Sequence, residues 1–288
     1  MKKNKKNIAI TGSTGGLGKE ICLDIIARGD NLILLDRNIE KSEKHRAELI
    51  AKYPGAEITC IPCDLEDMNS VENAINSLVE YNIDVFVHNA GAYKIPRRKC
   101  SSGYDNAYQI NFASPYYMIK KLLPTLKANK GKVVAVGSIA HNYSKINEND
   151  IDFSNVSACS KVYGNAKRYL MFGLWELMKN EKDVKLSIVH PGITVTNITA
   201  HYHPLVYAII KYPMKVIFMK PKKAALSIIQ GIYDECQYLE WIGPRLFDVW
   251  GMPKKRKLSS VCECERKKIF EICESVYKNL CNQQEKNG

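Results

Sequence analysis

No apolar run in this 288-residue chain reaches the ~18 residues that a membrane-spanning helix needs. The nearest, residues 204–219, is broken by Lys211, Pro213 and Lys215, which leaves two expectations for it: it lies on a membrane, or it covers a pocket. The apolar run ahead of Thr11 and Gly12 is about four residues long, too short for a secretory signal. The ten cysteines are scattered and are therefore expected as reduced thiols in a reducing, cytoplasmic setting. Acidic residues are also few, 30 against 42 Lys and Arg, for a net charge of +12. Lys2, Lys3, Lys5, Lys6 and the run Lys254, Lys255, Arg256, Lys257 supply 8 of those charges, so the excess sits at one terminus and in one expected loop. Solvated surface is the plainer reading, with peripheral contact to an anionic membrane as the alternative; no nucleic-acid partner is expected. With 45% apolar and 25% charged residues, wholesale disorder and fibrous classes are excluded.

Internal repeats, low-complexity linkers and composition breaks are missing too; what is present alternates. Residues 7–11, 31–36, 57–61, 83–88, 132–137 and 185–190 are short runs of β-branched and aliphatic residues, the mark of strands. Between them, residues 40–52, 71–79, 104–126 and 163–178 carry helical spacing. The alternation predicts an α/β, Rossmann-type doubly wound parallel sheet in three αβα layers, as one domain over residues 1–288. Within it, residues 197–288 are expected to form a substrate lid and a helical tail, where Ile269, Cys273, Val276 and Leu280 mark an amphipathic helix.

Thr11-Gly12-Ser13-Thr14-Gly15-Gly16-Leu17-Gly18 follows the first strand and opens a helix. Glycines let the backbone approach a pyrophosphate, and the helix N-terminus offers it free amides and partial positive charge. Asp36 and Arg37 end the second strand, where an adenosine ribose would sit, and they pull in opposite directions. A carboxylate accepts from a 2′-hydroxyl and repels a 2′-phosphate, whereas a guanidinium pairs with that phosphate. Asp64 and Leu65 close the third strand, and Asn89, Ala90 and Gly91 close the fourth. All lie at carboxyl ends of strands, where open α/β sheets bind ligands.

Tyr-x-x-x-Lys places a phenol and an ammonium one helical turn apart, and a nearby cation lowers a phenol's pKa toward the neutral range. The spacing occurs four times, at Tyr116/Lys120, Tyr117/Lys121, Tyr163/Lys167 and Tyr207/Lys211. Position selects Tyr163/Lys167, which follows a strand ending in Ser138 and precedes one ending at His190-Pro191-Gly192. Ser138 would hydrogen-bond a substrate oxygen, Tyr163 would transfer its proton, and Asn111 would hold a water linking Lys167 to solvent. Taken singly, Ser138 is equally a turn residue and Asn111 a helix-bending one.

Together, the Thr11–Gly18 turn, Asp64-Leu65, Asn89-Ala90-Gly91, Asn111, Ser138, Tyr163 with Lys167, and Pro191-Gly192 followed by Thr196 resemble the short-chain dehydrogenase/reductase family over about residues 7–200. Residues 131–141, Lys145-Ile-Asn147 and Tyr163–Lys167 with Phe172 and Glu176-Leu177 look most like its retinol-dehydrogenase-like branch. The resemblance implies an NAD(P)(H)-dependent oxidoreductase acting on a lipophilic alcohol or carbonyl compound, steroid-like, retinoid-like or long-chain. It casts Tyr163 as general acid/base, Ser138 as carbonyl-polarising partner, Lys167 as ribose ligand and pKa modifier, and Asn111 as relay member. It brings Gly12, Ser13, Thr14, Gly16, Leu17, Gly18, Pro191, Gly192, Thr194 and Thr196 to the cofactor, the two threonines near the carboxamide. Asp36 stands where NADP-using relatives carry a small residue, and with no cation at Gly15 it tilts the expectation toward NAD.

Two other signals stay in view. Cys262, Cys264, Cys273 and Cys281 lack the paired knuckles of a zinc site, so no metal is expected. His201 and His203 fall where a mobile lid would touch substrate, although a surface or packing role is the plainer reading. The rivals to an enzyme are a catalytically idle dinucleotide-binding protein and a membrane-surface module; either, like the enzyme, could be a homo-oligomer.

Overall fold

The structure, a computed structural model, describes residues 5–194 and 219–287. Its strands are β1 Asn7–Thr11, β2 Asn31–Asp36, β3 Ile58–Pro62, β4 Val85–His88, β5 Lys132–Val136, β6 Lys185–Val189, β7 Glu240–Leu246 and β8 Trp250–Lys257. They form one sheet in the order β3-β2-β1-β4-β5-β6-β7-β8, parallel throughout except for the β7/β8 hairpin. The helices are α1 Gly16–Ala27, α2 Ile39–Lys52, α3 Met68–Val79, the short α4 Asn106–Tyr108, α5 Ser114–Ala128, α6 Cys159–Leu177, α7 Pro221–Tyr233 and α8 Glu263–Asn287. Strand order reverses between β1 and β4, and that switch point opens a crevice at the carboxyl edge.

Side chains alternate across each strand, yet both faces are covered, which is why the strands read as near-continuous apolar runs. Ile8, Ile10, Leu32, Leu34, Val85 and Val87 pack with Ile21 and Ile25 of α1 and Ile228 of α7. Ala9, Ile33, Leu35, Phe86 and Val133 face the other way, among residues of α3, α5 and α6. The expected three-layer α/β architecture is therefore what forms.

Three local features depart from the sequence reading. Helix α3 starts at Met68 rather than residue 71, because Asp67 caps it by accepting from the Asn69 amide at 2.9 Å. Residues 106–128 are continuously helical, as expected, but carry a π-bulge, Gln109–Ala113, between α4 and α5. There the Asn111 amide donates to the Ala107 carbonyl at 2.7 Å, occupying the acceptor that a regular ladder would use. Finally, the basic run at residues 254–257 is not a loop but part of the edge strand β8. Gly243 and Pro244 in β7, and Gly251, Pro253 and the charges in β8, hid this hairpin; such residues belong to edge strands that must not pair further.

Helix α8 is the amphipathic tail expected from Ile269, Cys273, Val276 and Leu280, all fully buried. It lies on α6, where Arg168 donates twice to Glu265, at 2.9 and 2.6 Å, and the Cys273 sulfur lies 3.7 Å from the Tyr169 carbonyl. Cys273 is thus a packing residue, while Cys262 and Cys264 are exposed. Among the described residues no three His, Cys, Asp or Glu side chains gather as a metal site.

Candidate active site

At the carboxyl edge, the Thr11 hydroxyl accepts from the Asn89 and Ala90 amides, both at 3.1 Å, and the Asn89 side chain donates to the carbonyls of Thr11 and Gly12. These bonds tie β1 to β4 at the switch point. Gly12 turns the chain with φ +71°, and a Cβ there would stand 2.9 Å from the Ala90 Cα, so only glycine fits. No side chain caps the N-terminus of α1, which leaves its first-turn amides for a ligand. Ser13 does not line the cleft: it is fully buried and donates to Asp36.

Asp36 is 4% exposed. Beyond Ser13, its carboxylate accepts from the Thr14 amide and hydroxyl, at 3.3 and 3.2 Å, and from the Ser42 hydroxyl at 2.9 Å. A buried anion without a cation is thus satisfied by four donors, and it fixes the glycine turn as well as facing the crevice. Arg37 projects outward and reaches Glu66 at 3.6 Å, a carboxylate that Arg98 pairs more closely at 2.5 Å. Asp64 and Leu65 are set by α3 and α5, through Ser70 to the Asp64 amide at 2.9 Å and Ser114 to the Leu65 carbonyl at 2.7 Å.

Both ends meet in one cavity of about 630 Å³, lined at one end by the glycine turn, Asp36, Arg37 and Asp64, and at the other by Ser138, Tyr163, Lys167, Pro191, Gly192 and Thr194. Ser138 follows β5 and starts the short 3-10 turn Ile139–Tyr143, its oxygen accepting from the Ala140 amide at 3.2 Å. Tyr163 neighbours Ser138, whose hydroxyl favours the phenolate, and meets Tyr93 edge to face, with ring centroids 5.2 Å apart. One turn on, the Lys167 ammonium donates to the Val136 carbonyl at 2.9 Å and lies 5.7 Å from the Tyr163 ring centroid. Asn111 sits behind Gly91: a Cβ on that glycine would stand 2.9 Å from the Asn111 oxygen and 3.7 Å from the Lys167 nitrogen. The Asn111 side chain is clamped on the Ala92 amide and carbonyl and on the Ala107 carbonyl. Thr196, His201, His203, the Tyr207/Lys211 pair and all but the last residue of the 204–219 segment lie outside the described residues.

Burial dominates the electrostatics here. It pushes the Tyr163 phenol up to about 12, against the lowering effect of the Ser138 hydroxyl, and brings the Lys167 ammonium down to about 7. The expected lowering of Tyr163 by Lys167 is therefore not what the structure gives: a cation so desolvated is itself disfavoured. A group whose folded pKa is depressed stabilises the fold above its unfolded value and loses that contribution as pH falls through the folded value. For Lys167 this window runs from its ordinary 10.5 down to about 7. Urea unfolding across that range should show wild-type stability rising with pH relative to Lys167→Met; parallel curves would contradict the burial argument.

The other two Tyr-x-x-x-Lys pairs among the described residues prove structural. Tyr116 and Lys120 both reach Glu274 of α8, and Tyr117 and Lys121 both reach Glu72 of α3. The sequence reading missed several lining residues: Lys41, Tyr93, Ile95, Ile139, Tyr143, Ile193 and His190. His190 follows β6, stacks on Trp241 at 5.3 Å, and is held neutral by burial, which brings its pKa down to about 4. Only the partner from β7 could have flagged it, and β7 itself was hidden.

A family model for short chain dehydrogenases matches residues 6–204. Among curated proteins, the chain is 27% identical over 207 residues to Short-chain dehydrogenase TIC 32 A, chloroplastic, of Brassica napus, and 26% over 205 residues to Retinol dehydrogenase 12 of Mus musculus. These matches take in 67% and 69% of this chain and 65% of each relative, just under two thirds of their length. A crystal structure of an uncharacterized protein from Mycobacterium paratuberculosis shares the fold, with a TM-score of 0.76 at 20% identity over 95% of this chain and 93% of that one. With the matched segment containing the glycine turn, Ser138, Tyr163 and Lys167, the chain resembles retinol dehydrogenases among others and belongs to the short-chain dehydrogenase/reductase family.

Proposed function

We propose that the protein is an NAD(P)-dependent oxidoreductase that transfers a hydride between the nicotinamide and a lipophilic alcohol or carbonyl compound, steroid-like, retinoid-like or long-chain. The observation that carries this reading is one cleft with a glycine turn at one end and Ser138, Tyr163 and Lys167 at the other. A dinucleotide fits the residues present: Gly12 leaves no room for a side chain, and the α1 N-terminus is uncapped. Bound there, it supplies or takes the hydride. In reduction, Ser138 holds the substrate oxygen and Tyr163 gives it a proton; in oxidation, Tyr163 takes that proton back. Lys167 holds ribose; Asn111 fixes the wall behind Gly91, and the one remaining lone pair of its oxygen suits a relay water. Ile95, Ile139, Ile193, Tyr93 and Tyr143 give the substrate end an apolar lining, as a lipophilic substrate requires.

NAD is the favoured cofactor. Asp36 puts a carboxylate beside the expected ribose site, whereas Arg37 is turned outward, 68% exposed. Fluorescence titration should show NADH binding roughly tenfold tighter than NADPH, a difference that Asp36→Asn narrows or reverses, since about 1.4 kcal/mol of repulsion is enough for that factor. Tighter NADPH binding in the wild type would assign the selection to Arg37 and Lys41. Binding of either cofactor without turnover on a panel of lipophilic carbonyls would favour the idle dinucleotide-binding protein instead.

A further inference from the structure

The β7–β8 hairpin ends in a feature that hydride transfer does not use. Leu246, Phe247 and Met252 are 54%, 84% and 66% exposed at its tip. Three residues connect the strands in a tight turn centred on Phe247 and Asp248, closed by the Val249 amide on the Leu246 carbonyl at 3.0 Å, with φ +53° at Phe247 and +57° at Asp248. Such turns favour Asn-Gly, and a bulky aromatic in the left-handed region is disfavoured. Phe247 therefore bears a backbone strain and a hydration cost with no burial in the folded chain to offset either, the pattern expected of a side chain kept for something outside it.

Charge around the tip is one-sided. Residues 244–257 hold five cations, Arg245, Lys254, Lys255, Arg256 and Lys257, against one anion, Asp248, which Arg256 pairs at 2.9 Å. By two-residue alternation Met252 and Lys254 share one face of β8, apolar at the tip and cationic behind it. That order matches an anionic bilayer, whose acyl boundary takes the apolar side chains and whose headgroups take the cations. A second copy of the chain fits less well, because antiparallel pairing through β8 would set lysine rows against each other.

We propose that this hairpin docks the protein on an anionic lipid surface, with Phe247, Met252 and Leu246 in the interface and Arg245, Lys254 and Lys255 on the headgroups. The hairpin abuts the rim of the cleft: a Cβ on Gly192 would stand 2.7 Å from the Val249 carbonyl and 2.9 Å from the Pro244 ring. Docking thus sets the mouth of the cleft at the surface in which a lipophilic substrate dissolves; that second step, unlike docking itself, rests on the proposed substrate class.

The test is co-sedimentation of the full chain with phosphatidylcholine vesicles, with and without phosphatidylserine. Binding should be at least about tenfold stronger to the anionic vesicles, fall with added salt, and drop by about tenfold or more in Phe247→Ser/Met252→Ser. In Phe247→Trp, emission should shift to the blue on vesicles. Absence of wild-type binding overturns the proposal. So does binding that survives the hairpin changes but disappears when Lys2, Lys3, Lys5 and Lys6 become serine, or a hairpin variant that splits a dimer without altering vesicle binding. Turnover of a water-soluble carbonyl, unchanged in the hairpin variants, confirms folding and separates the two readings: turnover without vesicle binding leaves only the oxidoreductase, and vesicle binding without turnover leaves only the docking.

Discussion

Tyr163→Phe is expected to lower turnover about a thousandfold, within the range that positioned proton transfer contributes, while dinucleotide affinity stays nearly unchanged. The substitution removes one oxygen and keeps the ring, so the edge-to-face contact with Tyr93 survives and the fold has no cause to shift. What disappears is the hydroxyl beside Ser138, and with it the proton proposed for the substrate oxygen. Wild-type pH dependence provides a second check. With the phenol held up to about 12 by burial, it stays protonated through the neutral range, so reduction should be flat there. Oxidation needs the phenolate and should quicken as pH rises. Stopped-flow hydride transfer in both directions reads this; equal rates for the phenylalanine variant would remove Tyr163 from the mechanism.

Gly18→Ala should be the most damaging small change in the cofactor half. Its Cβ would overlap the Gly12 carbonyl oxygen and stand 2.7 Å from the Ser13 carbonyl oxygen, both backbone atoms of the turn that cannot swing aside. Overpacking of this kind typically costs ~1–3 kcal/mol, and here the strain falls on the loop meant to hold the pyrophosphate. Dinucleotide affinity should fall by about tenfold or more, with a lower denaturation midpoint. Gly15→Ala is the control: its Cβ would meet only the Gly12 oxygen, at an ordinary 3.6 Å. Matching losses at the two positions would show that glycine flexibility, rather than close packing, governs the turn.

Much of this was legible in the residues because each signal was local and short-ranged. β1 and β2 end at Thr11 and Asp36, where their apolar runs stop, and the four buried positions of α8 follow the helical period. Position along the chain also picked Tyr163/Lys167 out of four equal spacings. The other described pairs could not be dismissed from spacing alone, since their partners Glu274 and Glu72 lie 158 and 45 residues away. Distance in sequence explains the remaining misses. The role of Asp36 as an anchor of the glycine turn depends on Ser13 and Ser42, brought to it by folding. Strands β7 and β8 carry little alternation because one ends the parallel sheet and the other is its charged rim.

The lean of α8 on α6 has a consequence for synthesis. Tyr163 and Lys167 are translated about a hundred residues before Glu265 and Cys273, whose bonds to Arg168 and Tyr169 are 97 and 104 residues long in sequence. A nascent chain still ending before residue 263 carries the complete reactive set on a helix whose outer side is bare. The catalytic helix should therefore acquire its protection from amide exchange only once the C-terminal helix has docked, and ribosome-bound chains stalled before that point should bind dinucleotide weakly and reduce nothing.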